Sequence, residues 1–128
     1  MAKKTLKVCL DLDILLDFLL GDESAIKKVD IYIKTKDTEL CISSITLAQL
    51  YIISKNKQVI DNLKDRFIIL PFDENAAKIA GEVYDYLEEQ SSVNQHSVFI
   101  AATCLAHEAI LLTKNKQYYM PIPNLRVI

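Results

Sequence analysis

The chain has 128 residues with 15 basic and 17 acidic side chains, 51% hydrophobic and 25% charged residues, the profile of a soluble globular protein. This length buries enough surface for a core without disulfide or metal staples, and the composition excludes extended disorder. A net charge of −2 with 13 Lys against 2 Arg gives no overall basic field, so any nucleic-acid binding has to come from a local patch.

Only 2 Gly and 3 Pro occur, which disfavours an all-β sandwich with its many punctuated turns and favours long helices with brief connections. Residues 1–128 read as one domain, with no internal repeat, linker or low-complexity segment. Cys9, Cys41 and Cys104 each sit in an apolar run, an odd count without CxxC spacing, and are expected as reduced core residues. Met1 to Lys7 is polar and basic, and Asp11, Asp13 and Asp17 interrupt the apolar stretch that follows, unlike a secretory leader. No apolar run approaches the roughly 20 residues of a membrane span, so a cytoplasmic location and no membrane partner are expected.

In chain order, residues 5–10 (TLKVCL) alternate apolar Leu6, Val8 and Leu10 and predict a strand ending at an acidic pair. Ile14, Leu15, Phe18 and Leu19 then recur at helical spacing, Gly21 stands as a stop, and a second helix is predicted from Glu23 to Lys34. Residues 39–42 (ELCI) predict the second strand. Ser43 or Ser44 then caps a helix carrying Ile45, Ala48, Leu50 and Ile52.

A helical turn from Val59 to Lys64 leads to a third strand, FIILPF. Asp73 caps the helix ENAAKIAGEVYDYLEE, with acids in its first turn to suit the dipole. The polar break QSSVNQ separates it from the helix HSVFIAATCLAHE, after which AILLT predicts a strand and LRVI closes the sequence. Strands alternating with helices imply an α/β fold: a central, mostly parallel sheet of four to five short strands with helices on both faces.

In open α/β sheets, ligand-handling side chains gather beyond the carboxyl ends of the strands, where Asp11 and Asp13 fall. Two carboxylates two residues apart repel each other and suit a shared divalent cation. The same spacing reads equally as a helix N-cap followed by a solvated acid.

The stretch LDLDILLDFL resembles the opening motif of PIN-domain proteins, in particular the VapC-type toxins of bacterial and archaeal toxin–antitoxin pairs. SSITLAQLY, LPFDENAAKIAG, SVFIAATCLAHEAILLTKN and PNLRVI resemble that family's later segments in the same order. The resemblance implies a PIN-like fold and a metal-dependent endoribonuclease, in which three or four carboxylates hold one or two Mg²⁺ or Mn²⁺ ions. It implies Asp11 as the first family aspartate and Asp13 as an acid gained where the family has Asn. It also implies three losses, since family acids fall on Gln49, Ser97 and Tyr118.

Each missing carboxylate removes roughly 4 kcal/mol of attraction for a unit positive charge about 4 Å away at an effective dielectric of 20. The expectation is therefore a weak single ion on Asp11 and Asp13 or none, and nuclease activity that is weak or absent. The chain then acts as a binding or regulatory module with an antitoxin-like protein, RNA or a second copy of itself as partner. The alternatives are an active single-metal PIN ribonuclease using Asp11 and Asp13, and, more remotely, a haloacid-dehalogenase-like phosphatase with Lys114 as its lysine.

Around this centre, Thr113, Lys114 and Asn115 match the family's TxN turn and are candidates for phosphate or RNA contact. Lys116, Lys55 and Lys57 are candidates for a basic rim. Asp17 and His96 are weaker candidates for a catalytic role and read better as solvated groups. His107 reads as a structural residue at a helix end near Glu108. Tyr118 and Tyr119, beside Met120, read as a packed lid rather than a base-stacking pair. The apolar-faced helix from Ile26 to Ile33 is the candidate dimer surface.

Overall fold

The structure is a computed structural model and describes residues 5–89 and 93–128; Met1 to Lys4 and part of the expected polar break at 90–92 lie outside the described residues. Its elements in order are β1 (Leu6–Leu10), α1 (Leu12–Leu19), α2 (Glu23–Lys34), β2 (Thr38–Ser43), α3 (Ser44–Ile53) and α4 (Lys57–Lys64). They are followed by β3 (Ile68–Leu70), α5 (Glu74–Glu88), α6 (Gln95–Ala106), β4 (Ile110–Leu112) and the one-turn α7 (Lys116–Tyr119). The strands form a parallel sheet in the order β3-β2-β1-β4. Residues 126–128 run alongside β4 through a parallel bridge between Leu111 and Val127 and hydrogen bonds from Leu111 to Arg126 and from Ile128 to Leu111. The closing LRVI segment thus shields the outer edge of β4, where an open row of backbone groups would otherwise invite pairing.

Strand alternation divides the core into two layers. Val8, Leu10, Ile42 and Leu112 point to one face, where they are buried with Ile14 and Leu15 of α1, Val29 of α2, and Ile60 and Leu63 of α4. Cys9, Cys41 and Leu111 point to the other, against Val83 and Leu87 of α5 and Ile100, Ala101 and Cys104 of α6. All three cysteines are free thiols fully inside this core, as their apolar surroundings in the sequence imply.

Caps set the helix starts. Ser43, itself buried, accepts a hydrogen bond from the Thr46 amide at 3.0 Å, so β2 turns into α3 with no intervening loop. Ser44, the other candidate, instead accepts from the Phe72 amide at 2.9 Å and ties down the chain leaving β3. Asp73 accepts from the Ala76 amide at 2.9 Å, a cap of the kind worth about 1 kcal/mol. Gly21, at φ 83°, takes the left-handed conformation that ends α1 one residue past its cap.

The third strand is shorter than the FIILPF run, because the segment beginning at Pro71 leaves the sheet. His107 closes α6 as expected, but its ring faces the Pro71 carbonyl at 2.9 Å and the Asp73 carboxylate at 3.5 Å rather than Glu108.

Candidate functional site

The strand order fixes where chemistry can gather. From β1 the chain steps outward to β2 and β3, then returns to the opposite side of β1 for β4, so the switch in direction lies between β1 and β4. Asp11 follows the carboxyl end of β1 and Thr113 that of β4. The Asp11 amide donates to the Leu112 carbonyl at 2.9 Å, which extends the strand pairing by one bond and sets the two residues side by side.

Asp11 is the N-cap of α1 and only 6% exposed. Its Oδ1 accepts from the Leu12 amide at 2.9 Å, and its Oδ2 accepts from the Thr113 hydroxyl at 2.8 Å and from the Tyr119 hydroxyl at 3.1 Å. Burial raises the Asp11 carboxyl above its usual range and the neighbouring Asp13 charge raises it further, while the bonds from Thr113, Leu12 and Tyr119 pull it back. Asp13, in the first turn of α1, accepts from the Ile14 amide at 2.5 Å and from the Lys114 amide at 3.1 Å. Its Oδ2 also lies 3.3 Å from the Thr113 hydroxyl. The single proton of that hydroxyl goes to the nearer Asp11 oxygen, and the Thr113 oxygen in turn accepts from the Asn115 amide at 3.0 Å. The Thr-Lys-Asn turn therefore holds both carboxylates from one side.

The remaining site candidates fall in different places. Asp17 is bound to the Lys114 ammonium at 2.6 Å, which commits both charges to each other at the rim. Lys114, Asn115, Lys116 and Thr113 line an open cleft of about 540 Å³ together with Lys28 of α2, a residue 85 positions or more away in sequence that no local signal connects to the turn. Lys57 does not extend this rim: its ammonium caps the end of α3 through the Tyr51 and Ser54 carbonyls. Gln49, on α3, carries a buried side-chain carbonyl oxygen with no hydrogen-bond partner among the described residues.

The tyrosines separate. Tyr118 is partly buried, and its hydroxyl accepts from the Asn94 amide at 3.1 Å ahead of α6. Tyr119 is 2% exposed and sends its hydroxyl onto Asp11. Burial and the Asp11 charge push the Tyr119 hydroxyl well above its ordinary range, while the nearby Ser97 side chain pulls it partly back, so it stays protonated and acts as a donor. The residue that closes the centre is thus Tyr119, expected from the sequence as part of a packed lid. Tyr119 and Ser97 are brought to Asp11, whereas Tyr118 packs edge-on against Tyr119 with ring centroids 5.2 Å apart and reaches elsewhere. His96 lies at the exposed start of α6.

Known proteins give the constellation its family. The PIN domain family model matches residues 8–120, nearly the whole chain. The chain belongs to the PIN domain family. Among solved structures the PIN fold here is similar to a chain of VapBC2 from Rickettsia felis bound to a DNA fragment from their promoter, at 25% identity and a TM-score of 0.80 over 96% of this chain and 98% of that one. VapBC-1 from nontypeable Haemophilus influenzae gives 22% identity and a TM-score of 0.79, over 96% of this chain and 97% of that one. DNA-bound VapBC from Salmonella typhimurium gives 23% and 0.77, over 97% and 98%. A search of the curated proteins finds no match by sequence. The chain is therefore VapC-like in fold, as its ordered motifs imply.

PIN domains are generally divalent-metal-dependent. The donors here do not fit a two-ion centre. Mg²⁺ wants six oxygen ligands in a near-ideal octahedron and two such ions want several shared anions. Asp11 and Asp13 supply two carboxylates, and among the described residues no group of three or more His, Cys, Asp and Glu side chains forms a metal cluster. The Asp11 Oδ2 already accepts from two hydroxyls.

The electrostatic coupling of the pair is directly testable. Asp13→Asn keeps an oxygen to accept from the Lys114 amide and removes the charge that raises the Asp11 carboxyl. Asp11 should then titrate at a lower pH in a carboxyl ¹³C NMR titration; an unmoved Asp11 would contradict the coupling.

Proposed function

We propose that this chain is a VapC-like PIN protein whose ribonuclease centre is weak or inactive, and that it works as a binding or regulatory module. The observation that carries this reading is the closed carboxylate: Asp11 is held by Leu12, Thr113 and the protonated Tyr119 hydroxyl. A neutral glutamine, serine and tyrosine occupy positions where the family resemblance implies acids. With these neighbours the developing charge of phosphodiester cleavage has little cationic support, since a dication held by two carboxylates is bound weakly.

Under this reading residues 1–128 act as one cytoplasmic domain, and an antitoxin-like protein is the principal partner. The VapBC chains of similar fold, some bound to promoter DNA, support that choice. Homodimerisation through α2 is supported by Ile31 and Ile33, which are 61% and 56% exposed. RNA contact is supported by Lys28 and Lys116, which line the cleft beside the Thr113 turn, while the Lys114 ammonium is held by Asp17. Any bound ion would be a single Mg²⁺ or Mn²⁺ on Asp11 and Asp13. The phosphatase alternative loses its support with PIN membership and with Lys114 committed to Asp17.

The test is cleavage of single-stranded RNA by the purified full chain in Mn²⁺, beside Asp11→Asn. The expected result is no divalent-dependent cleavage that the substitution abolishes. Robust Mn²⁺-dependent cleavage lost in Asp11→Asn would establish the alternative, an active single-metal enzyme.

A further inference from the structure

A second cavity, of about 360 Å³, opens at the opposite edge of the sheet. Thr38 begins β2 and pairs in register with Leu6, whereas Asp11 follows the far end of β1. At about 3.3 Å per strand residue the two ends lie roughly 16 Å apart. Phe18 at the end of α1, Tyr32 of α2, Leu40 of β2 and Phe67 form apolar walls around it. These side chains border the core layer without being sealed into it, and so offer apolar surface that a ligand would cover.

One charged group meets these walls. Arg66 lines the cavity, is exposed, and makes no ion pair among the described residues. Thr38 also lines the cavity, but its hydroxyl oxygen is sealed from it. A guanidinium without an ion-pair partner beside apolar surface is a ready fork for a carboxylate. A volume near 360 Å³ falls at the lower end of small-molecule sites.

We propose that this cavity binds a small aromatic carboxylate, with its ring between Phe18, Tyr32 and Phe67 and its carboxylate on Arg66. The site is independent of the acidic crevice and of whether that crevice cleaves RNA.

The test is an NMR titration of the ¹⁵N-labelled full chain with 3-phenylpropionate, with 3-phenylpropan-1-ol as the uncharged probe of the same shape. Saturable shifts should centre on Leu40 and Phe67, with a Kd on the order of 0.1–1 mM for so few ligand atoms. The alcohol and the Arg66→Gln variant should each bind roughly tenfold more weakly. Lys116→Gln, in the cleft at the other edge, should leave binding unchanged. Absence of saturable shifts, equal binding of acid and alcohol, or affinity that follows Lys116 rather than Arg66 would overturn the proposal.

Discussion

Gln49→Glu, Ser97→Asp and Tyr119→Phe combined should convert the protein into a Mn²⁺ binder and raise RNA cleavage by orders of magnitude over the natural chain. Ser97 lies near the Tyr119 hydroxyl that reaches Asp11, so an aspartate there brings a third carboxylate toward the crevice. Gln49 has a buried carbonyl oxygen with no partner among the described residues, and a glutamate keeps that oxygen while adding charge. Tyr119→Phe preserves the ring in the core and withdraws one of the two hydroxyls on the Asp11 Oδ2. Each added carboxylate is worth roughly 4 kcal/mol of attraction per unit positive charge at about 4 Å and an effective dielectric of 20, before desolvation is subtracted.

The same substitutions should destabilise the metal-free protein, because the family resemblance implies that the new anions converge on Asp11 and Asp13. A calorimetric melting temperature that falls in chelator and recovers in Mn²⁺ therefore reports the site independently of RNA. Occupancy at 100 times Kd would restore about 2.7 kcal/mol. If the variant melts identically with and without Mn²⁺, loss of the acids is not what sets the natural chain's metal affinity, and the reading of a depleted centre fails.

The parallel sheet and its helices were legible because they rest on local physics. The alternation of Val8, Cys9 and Leu10 assigns each residue to a face, and Asp73 and Gly21 mark helix ends through cap and left-handed geometry. The location of Asp11 and Asp13 was legible for the same reason, since a strand end beside a switch in strand order is a topological address. What the sequence did not disclose was which neighbours reach that address. Tyr118 and Tyr119 differ by one position on a single helical turn, about 100° of rotation, and that step sends one hydroxyl to Asn94 and the other to Asp11. Lys28 joins the Thr113 turn only through the packing of α2, and Lys57 leaves the rim because the end of α3 has carbonyls to satisfy. Such contacts are set by tertiary closure rather than by periodicity.

Tyr119 also offers the most informative stability measurement. Tyr119→Ala removes a nearly fully buried ring from the core layer formed with Ile100, Ala101 and Leu111, and should cost about 3–5 kcal/mol. Tyr119→Phe removes only the hydroxyl, whose bond to an ionised carboxylate is worth about 1.5–3 kcal/mol near neutral pH.

The pH dependence of the smaller loss identifies its origin. The Asp11 carboxyl is raised in the folded state, so its ionisation opposes folding, and this term relaxes as pH falls through the folded value toward the unfolded one. The Tyr119 hydroxyl lowers the Asp11 carboxyl, so Tyr119→Phe should raise it further. The deficit of Tyr119→Phe relative to the natural chain is then fully present above both folded values. It shrinks as Asp11 protonates in each protein, because a neutral carboxyl accepts a weaker bond. Urea denaturation at neutral pH and near pH 4 should give a larger difference at neutral pH. In the Asp11→Asn background the Tyr119→Phe deficit should shrink at neutral pH and lose its dependence on pH. A deficit independent of pH in the natural background would mean that the hydroxyl stabilises the fold without engaging the Asp11 carboxylate, and that this carboxylate is not held closed by Tyr119.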